Sequence, residues 1–565
     1  VLACLKVTTV KNKRCEIRQW NLTAGVSIRQ NNFSTVPVLD PNIVKSTVPD
    51  TASVKNVTLP ELFRSQSNVL PGSRTAFECA VTGLKYSRDE VLRYGRSFGA
   101  ALLQAGLKRG DIVAILLPNC PQYSVVVMGL LDTGIIGSQI NPAYTPPEIT
   151  SLVAQSEAKA IITLTVFVPL AQHIQGLSKG SIKNIIVVGE TTEGCHSFNE
   201  MIKTDPMGAE FLEGSKIDTS NETAMILWSS GTTGPPKGAM ITHENIATSV
   251  LSLAQKEISD FRYGEERLFG LIPMFHIYGS IAMLYCSLYG GATVTTLPKF
   301  DPALFTQALK ATKPTFLHLV PPLVSFIVAN PAITKEDLAA THTLVCGAAA
   351  AGPVVINRLL EKAGDQIFFQ EGFGMTESSG LSHIILRETH NSRIGSIGHP
   401  VSNTMSKIIC VETGKTLGPG ENGEICVKGP HVMKGYLNND EATKNTIDED
   451  EEGLFYVVDR LKELIKVKGL QVAPSELEDV LRTHDNVADV AVIGIPDERS
   501  GELPRAYIVS KGQVTDKEIQ AFLKGRVAEH KQLDGGVEFV ESIPKSASGK
   551  ILRREIMQMY KNKAN

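Results

Sequence analysis

The chain has 565 residues, enough for several folding units of roughly 150 residues each. Hydrophobic residues make up 42% and charged residues 20%, with a formal net charge of −3; that balance suits an ordinary globular protein and excludes a whole-chain field for gathering nucleic acid. No basic stripe with interleaved aromatics occurs, so the expected partners are small molecules held in clefts.

In chain order, residues 1–33 carry Lys6, Lys11, Lys13, Arg14, Arg18 and Arg29 against a single acid, Glu16. That composition fits a mitochondrial transit peptide, a disordered extension or non-native sequence, and residues 1–57 are read as an N-terminal extension. From about residue 58 to 395, apolar strand-like runs alternate with helical patterns. Asp111–Leu117 reads as a buried strand, and Tyr123–Ile140 as a buried helix, since Asp132 and three glycines interrupt it. No apolar run reaches the ~18 residues of a membrane span. Strands follow at Ala160–Val166, Ile185–Gly189, Ala224–Trp228, Leu268–Pro273, Ala292–Leu297 and Thr343–Gly347. Continuous apolar strands separated by helices predict α/β architecture with two doubly wound, mostly parallel sheets.

After Ile394 the texture changes. Short strands at Ser406–Val411 and Glu424–Lys428, separated by glycine turns, predict a small β-barrel at about 395–459 that completes a large N-terminal domain of residues 58–459. Beyond it come a helix at Ser475–Thr483, strands at Val487–Ile495 and Ala506–Ser510, and a helix at Asp516–His530. These predict a small α+β C-terminal domain over residues 460–565. The 9 cysteines are an odd number, scattered from Cys4 to Cys426 without a Cys-x-x-Cys pair. They read as reduced thiols of an intracellular protein, and as neither a zinc site nor a disulfide framework.

The sharpest chemical signal is Ser229-Ser230-Gly231-Thr232-Thr233-Gly234-Pro235-Pro236-Lys237-Gly238, after a predicted strand and before a helical run from His243. Glycines let backbone N–H groups turn towards phosphate oxygens, hydroxyls add donors and Lys237 adds charge. A Walker A loop does not fit the spacing. Taken alone the segment also suits a Gly/Thr-rich turn.

This loop resembles the phosphate loop of the adenylate-forming superfamily, which includes acyl- and aryl-CoA ligases, beetle luciferases and peptide-synthetase adenylation domains. Other segments appear in that superfamily's order. Gly372-Phe373-Gly374-Met375-Thr376-Glu377 resembles the adenine-and-magnesium motif, and Asp459-Arg460-Leu461-Lys462 the hinge. Pro544-Lys545-Ser546-Ala547-Ser548-Gly549-Lys550 resembles the loop of the catalytic lysine, and Gly423–Gly429 a signature of 4-coumarate–CoA ligases.

The resemblance implies an acid–thiol ligase that uses ATP, Mg2+ and coenzyme A on a carboxylic acid. The acid attacks the α-phosphorus to give an acyl-adenylate and pyrophosphate; the thiol then displaces AMP. It implies that Lys550 bridges α-phosphate and carboxylate, that Glu377 and Thr232 hold the magnesium, and that Phe373 lies against adenine. Gly372 and Gly374 then let the base approach, with Thr376 beside them and Gly347 and Ala348 forming another wall. His276, in Pro273-Met274-Phe275-His276-Ile277-Tyr278-Gly279, would line the carboxylate end of an apolar acid slot; a lone histidine among apolar residues also reads as hydrogen-bonded core. Lys462 at the hinge position, with Arg460 beside it among the cofactor-binding residues and Lys466 and Gly469 on the thiol-forming face, implies a mobile C-terminal lid that serves both half-reactions. Cys426, flanked by Ile425 and Val427, reads as a buried structural thiol.

One departure stands out. Relatives carry a Thr-Gly-Asp segment between the counterparts of Tyr436 and Arg460, whose aspartate accepts from both ribose hydroxyls of ATP. Here Thr446–Tyr456 runs straight into Val457-Val458-Asp459 without it. The alternative reading is therefore a catalytically impaired nucleotide- or acyl-binding relative. A luciferase-type oxidase has little support around His276, and a simple ATPase is disfavoured by the absent Walker motifs. The sequence names neither the acid, the oligomeric state nor the compartment; the terminal Lys-Ala-Asn is not the peroxisomal Ser-Lys-Leu address.

Overall fold

A computed structural model describes residues 40–564 apart from 230–235, 349–352, 365, 390–393, 411–412, 422, 445, 448–454, 457–464, 468–469, 473, 498–499, 525, 528 and 546–550. Two large sheets dominate it. The first has eight strands, and six in succession, Thr223–Ser229, Ile136–Gln139, Ile112–Leu116, Ala160–Leu164, Asn184–Val188 and the edge strand His196–Ser197, are all parallel neighbours. Lys237–Thr242 and Gly435–Tyr436 extend its edge in antiparallel fashion. The second sheet has nine strands around a parallel centre that includes Arg267–Gly270, Phe316–Leu319, Thr343–Cys346 and Phe368–Met375.

Alternation along single strands shows why helices cover both faces of the first sheet. Val113 and Ile115 join the largest core, shared with Phe77, Leu268, Phe316, Leu344 and Phe369 of the second sheet and with helices Arg88–Gln104, Pro121–Thr133 and His243–Leu253. Ala114 and Leu116 face the opposite way, into a separate core with helices Pro146–Gln155 and Val168–Leu177. A helical layer thus lies between the two sheets. Its two longest members meet through glycine: a Cβ at Gly99 would stand 2.8 Å from the Gly129 carbonyl oxygen.

The predicted helix Tyr123–Ile140 is two elements. The helix ends at Thr133, Gly134 takes a left-handed φ of 69°, and the chain continues as the strand Ile136–Gln139. Uniform apolarity hid the break, because a helix and a parallel strand buried on all sides look alike in hydropathy. The helix predicted to reach His530 stops at Leu523.

Where a barrel was predicted, the described residues form a four-stranded antiparallel sheet of Val44–Lys45, Met405–Ile409, Glu424–Lys428 and Phe455–Tyr456. Val44 and Lys45, placed by sequence in the extension, are thus paired with Ser406 and Met405. The C-terminal part has five strands, led by the hairpin Val487–Asp497 and Gly501–Ser510, with one core on each face. Among the described residues no helix is long and apolar enough to cross a membrane.

Candidate functional site

The glycine-rich segment between Ser229 and Lys237 lies between two antiparallel strands, Thr223–Ser229 and Lys237–Thr242, and helix His243–Leu253 starts only after the second. The segment is therefore flanked by the two strands of a hairpin and does not lead directly into a helix. Ser229 pairs with Lys237, so the two ends of the loop stand opposite each other. Ser230, Gly231, Thr232, Thr233 and Gly234 lie outside the described residues. Lys237 is half-buried, with Nζ 4.8 Å from the centre of the Tyr436 ring.

The strand Phe368–Met375 changes partners midway. Its first four residues pair in parallel with Thr343–Cys346; Gly372–Met375 then turn to an antiparallel pairing with Gly380–Ile384, with a register shift between Phe373 and Gly374. Gly374 is required there, since a Cβ would stand 1.9 Å from the Gly380 carbonyl oxygen. Phe373 is half-buried with its edge near His383, rather than buried in a core.

The turn Thr376–Ser378 follows, with Thr376 buried and Glu377 half-buried. The Tyr436 hydroxyl donates to Glu377 Oε1 at 2.7 Å, and the Met433 N–H donates to the Glu377 carbonyl at 2.8 Å. Because Gly435–Tyr436 pairs with Ala239 and Met240, Tyr436 ties the phosphate-loop hairpin of one sheet to the Glu377 turn of the other. Sequence reasoning passed over Tyr436; its only signal was its place directly after Gly435.

Among the described residues no cluster of three or more His, Cys, Asp or Glu could hold a metal ion. Glu377 still fits magnesium, a hard cation that usually takes one or two protein carboxylates and completes its shell with phosphate and water. Tyr436 occupies one of about four lone-pair sites on the carboxylate, leaving the others for a cation.

The third wall follows Thr343–Cys346. Gly347 leads into Ala348, which holds φ at 69°, a strained value for a residue with a side chain and a common mark of functional turns. A Cβ at Gly347 would stand 3.3 Å from Tyr278 Cε1, so the tyrosine ring lies against this turn. The Tyr278 hydroxyl donates to the Val345 carbonyl at 3.2 Å and sits 3.3 Å from His318 Nδ1. Burial pushes the His318 pKa down to about 3, so that imidazole stays neutral.

His276 is half-buried and caps the helical segment that begins at Ile277, its Nδ1 accepting from the Tyr278 N–H at 3.2 Å. Gly279 lets that segment fold back, since a Cβ would stand 2.0 Å from the Pro273 carbonyl oxygen. Cys426 is fully buried in its strand.

In the C-terminal part, Arg460, Gly469 and Lys550 lie outside the described residues. Lys466 lies in the strand Ile465–Val467, opposite Gln471. The base of the Lys550 loop is described: Lys545 bridges Ile551 in antiparallel fashion, and Lys545 Nζ meets Asp489 at 2.5 Å.

A profile of AMP-binding enzymes matches residues 63–437, and one of the AMP-binding enzyme C-terminal domain matches residues 476–550. The chain is 38% identical over 489 residues to a 4-coumarate-CoA ligase 1 of Narcissus pseudonarcissus, covering 83% of this chain and 87% of that protein. It is 33% identical over 533 residues to a 4-coumarate–CoA ligase 1 of Petroselinum crispum, covering 91% and 96%. Among solved structures, an anthranilate CoA ligase in complex with anthranoyl-AMP is similar, with a TM-score of 0.79 and 25% identity over 90% of this chain and 98% of the other.

Proposed function

The chain belongs to the AMP-binding enzyme family, and from that premise we propose which of its residues carry out an acid–thiol ligation. It is an acyl/aryl-CoA ligase that activates a carboxylic acid with ATP and passes the acyl group to coenzyme A. A carboxylate oxygen attacks the α-phosphorus of ATP, and the bond to pyrophosphate breaks. The CoA sulfur then attacks the acyl carbonyl, and AMP leaves. The observation that carries this reading is the likeness to 4-coumarate–CoA ligases over most of both chains. The alternative of an impaired binding relative draws no support from these relatives, which are named as ligases.

In the proposed assignment, Ser229, Lys237 and the intervening loop, with Thr232, bind the β- and γ-phosphates. Glu377 holds magnesium with Thr232; when bound, the ion neutralises charge on the phosphate oxygens. Phe373, Gly372, Gly374 and Thr376 form the adenine side, and Gly347 and Ala348 the opposite wall. His276 lines the carboxylate end, beside the half-buried Tyr278 that closes against Gly347. Lys550 supplies the cation that draws carboxylate and α-phosphate together, a preorganised charge worth about 10²–10³-fold. Arg460 contacts the nucleotide beside the hinge at Lys462, and Lys466 and Gly469 belong to the thiol-forming face of a lid that turns between the two half-reactions. The N-terminal unit then runs to residue 459 and takes in Val44 and Lys45 ahead of the boundary at 58, and the lid spans 460–565.

The test is acid-dependent ATP–pyrophosphate exchange by the full chain, across a panel of aromatic and fatty acids, with Lys550→Ala as control. Exchange that the substitution abolishes supports the assignment. A folded chain that exchanges with no acid overturns it.

A further inference from the structure

The segment Pro273–His276 leaves the end of the strand Arg267–Gly270, in the second sheet, yet Asn119 from the first sheet's side holds it directly and Gln139 of the first sheet holds it through Ser280. Asn119 lies in the loop between the strand Ile112–Leu116 and the helix Pro121–Thr133, and is 4% exposed. Its Nδ2 donates to the carbonyls of Gly270 and Ile272, both at 3.0 Å, and its Oδ1 accepts from the Met274 N–H at 2.8 Å. The partners fix the amide's orientation, since two carbonyls must face nitrogen and the N–H must face oxygen. One side chain thereby satisfies three backbone groups across the first turn of the segment that carries His276. A leucine would remove the partner of the Ile272 carbonyl and the Met274 N–H and leave the Gly270 carbonyl with the Leu297 N–H at 3.3 Å, and an aspartate would set negative charge against two carbonyls.

A second anchor lies beyond the histidine. Residues Ser280–Tyr285 form a π-helical turn, a feature frequent at functional sites. From it the fully buried Ser280 Oγ contacts the Met274 carbonyl at 2.5 Å and Gln139 Oε1 at 3.0 Å. Gln139 also accepts from the Tyr123 hydroxyl at 3.1 Å, and its amide nitrogen reaches Met225 Sδ at 3.2 Å. Gln139 pairs with Leu227, two residues before Ser229, on the strand that enters the phosphate loop. The same buried network therefore touches both the strand that delivers the phosphate loop and the turn that delivers His276.

We infer that Asn119, with Ser280 and Gln139 behind it, is a positioning residue for the acid: it sets the Pro273–His276 segment at a fixed offset from the phosphate loop. The inference rests on the ligase reading above. ATP is gripped by elements that Asn119 does not touch, so its loss displaces the acid's carboxylate end and leaves nucleotide binding in place. A displacement near 1 Å of a reacting group costs on the order of 10²-fold in rate.

The test uses the full chain and measures ATP–pyrophosphate exchange with varied acid and varied ATP, plus thermal melting, for the wild type, Asn119→Ala and Ser280→Ala. The expected result is a fall in kcat/KM for the acid on the order of 10²-fold in Asn119→Ala and roughly 10-fold in Ser280→Ala, with KM for ATP changed less than about two-fold. Equal changes for acid and ATP, or a lowered melting temperature with unaltered kinetics, overturn the inference. If Asn119→Ala does not fold, Ser280→Ala decides alone by the same criterion. No exchange by the folded wild type with any acid overturns the ligase reading itself, which separates the two failures.

Discussion

The Tyr436 hydroxyl donates to Glu377 Oε1 at 2.7 Å while the face of the same ring lies 4.8 Å from Lys237 Nζ. One side chain thus orients an acid from the nine-stranded sheet and a base from the hairpin of the eight-stranded one. A hydrogen bond to a charged group contributes about 1.5–3 kcal/mol. Tyr436→Phe keeps the ring under Lys237 and removes only the donor. The expected outcome is a fall in exchange rate of roughly 10–100-fold with a higher magnesium concentration at half-maximal rate, read from magnesium titrations. An unchanged magnesium midpoint would separate Tyr436 from the Glu377 carboxylate's function.

Gly279 makes a sterically defined prediction. A Cβ there would stand 2.0 Å from the Pro273 carbonyl oxygen, inside any real contact distance, and the obstacle is backbone. Gly279→Ala must push the helix start away from Pro273, taking His276 with it. The expected result is a loss of about 1–3 kcal/mol in stability by denaturant unfolding, and a larger loss of exchange activity than of fold. Full activity would show that the His276 segment tolerates displacement.

Much of this architecture was legible because hydrophobic period reports burial. The run Ile112–Leu116 is apolar at every position, and the sheet places helices on both of its faces. The break at Gly134 was not legible for the same reason, since total burial erases the contrast that marks a helix end. Gly374, near the end of the strand Phe368–Met375, and Glu377, in the turn that follows it, were singled out by pattern. Tyr436, Asn119 and His318 were not, because their roles arise from partners more than 25 positions away in the chain. The hairpin strand Lys237–Thr242 was also missed, and it stands between the glycine-rich segment and the helix that begins at His243.

His431 contributes to a pH response shared with the buried His243, His318 and His383. It is 1% exposed, neither ring nitrogen has a hydrogen-bond partner among the described residues, and burial pushes its pKa down from 6.5 to about 4. A histidine whose pKa is depressed on folding contributes stability that is present above its unfolded value and is lost as pH falls through the window from 6.5 to about 4. At about 1.4 kcal/mol per pH unit, the loss across that window is on the order of 3 kcal/mol. Replacing it with leucine removes the titrating group, so His431→Leu should flatten the fall in melting temperature between pH 6.5 and 4. Parallel melting curves for both proteins across that window would show that His431 does not titrate on unfolding.

The shortened run before Val457 makes the last prediction. The superfamily resemblance implies there a Thr-Gly-Asp aspartate that accepts from both ribose hydroxyls, and Thr446–Tyr456 contains no such motif. Two charge-assisted hydrogen bonds of about 1.5–3 kcal/mol each amount to roughly 10²–10⁴-fold in adenylation efficiency. The strand Phe455–Tyr456 still pairs with Cys426 and Val427, so the sheet does not need the segment in order to form. Inserting the relatives' segment ahead of Glu451 should therefore leave the melting temperature nearly unchanged. It should raise exchange by that factor, chiefly through KM for ATP. A rise confined to KM for the acid would place the segment's effect away from the ribose, and no rise at all would show that this chain holds the ribose by other residues.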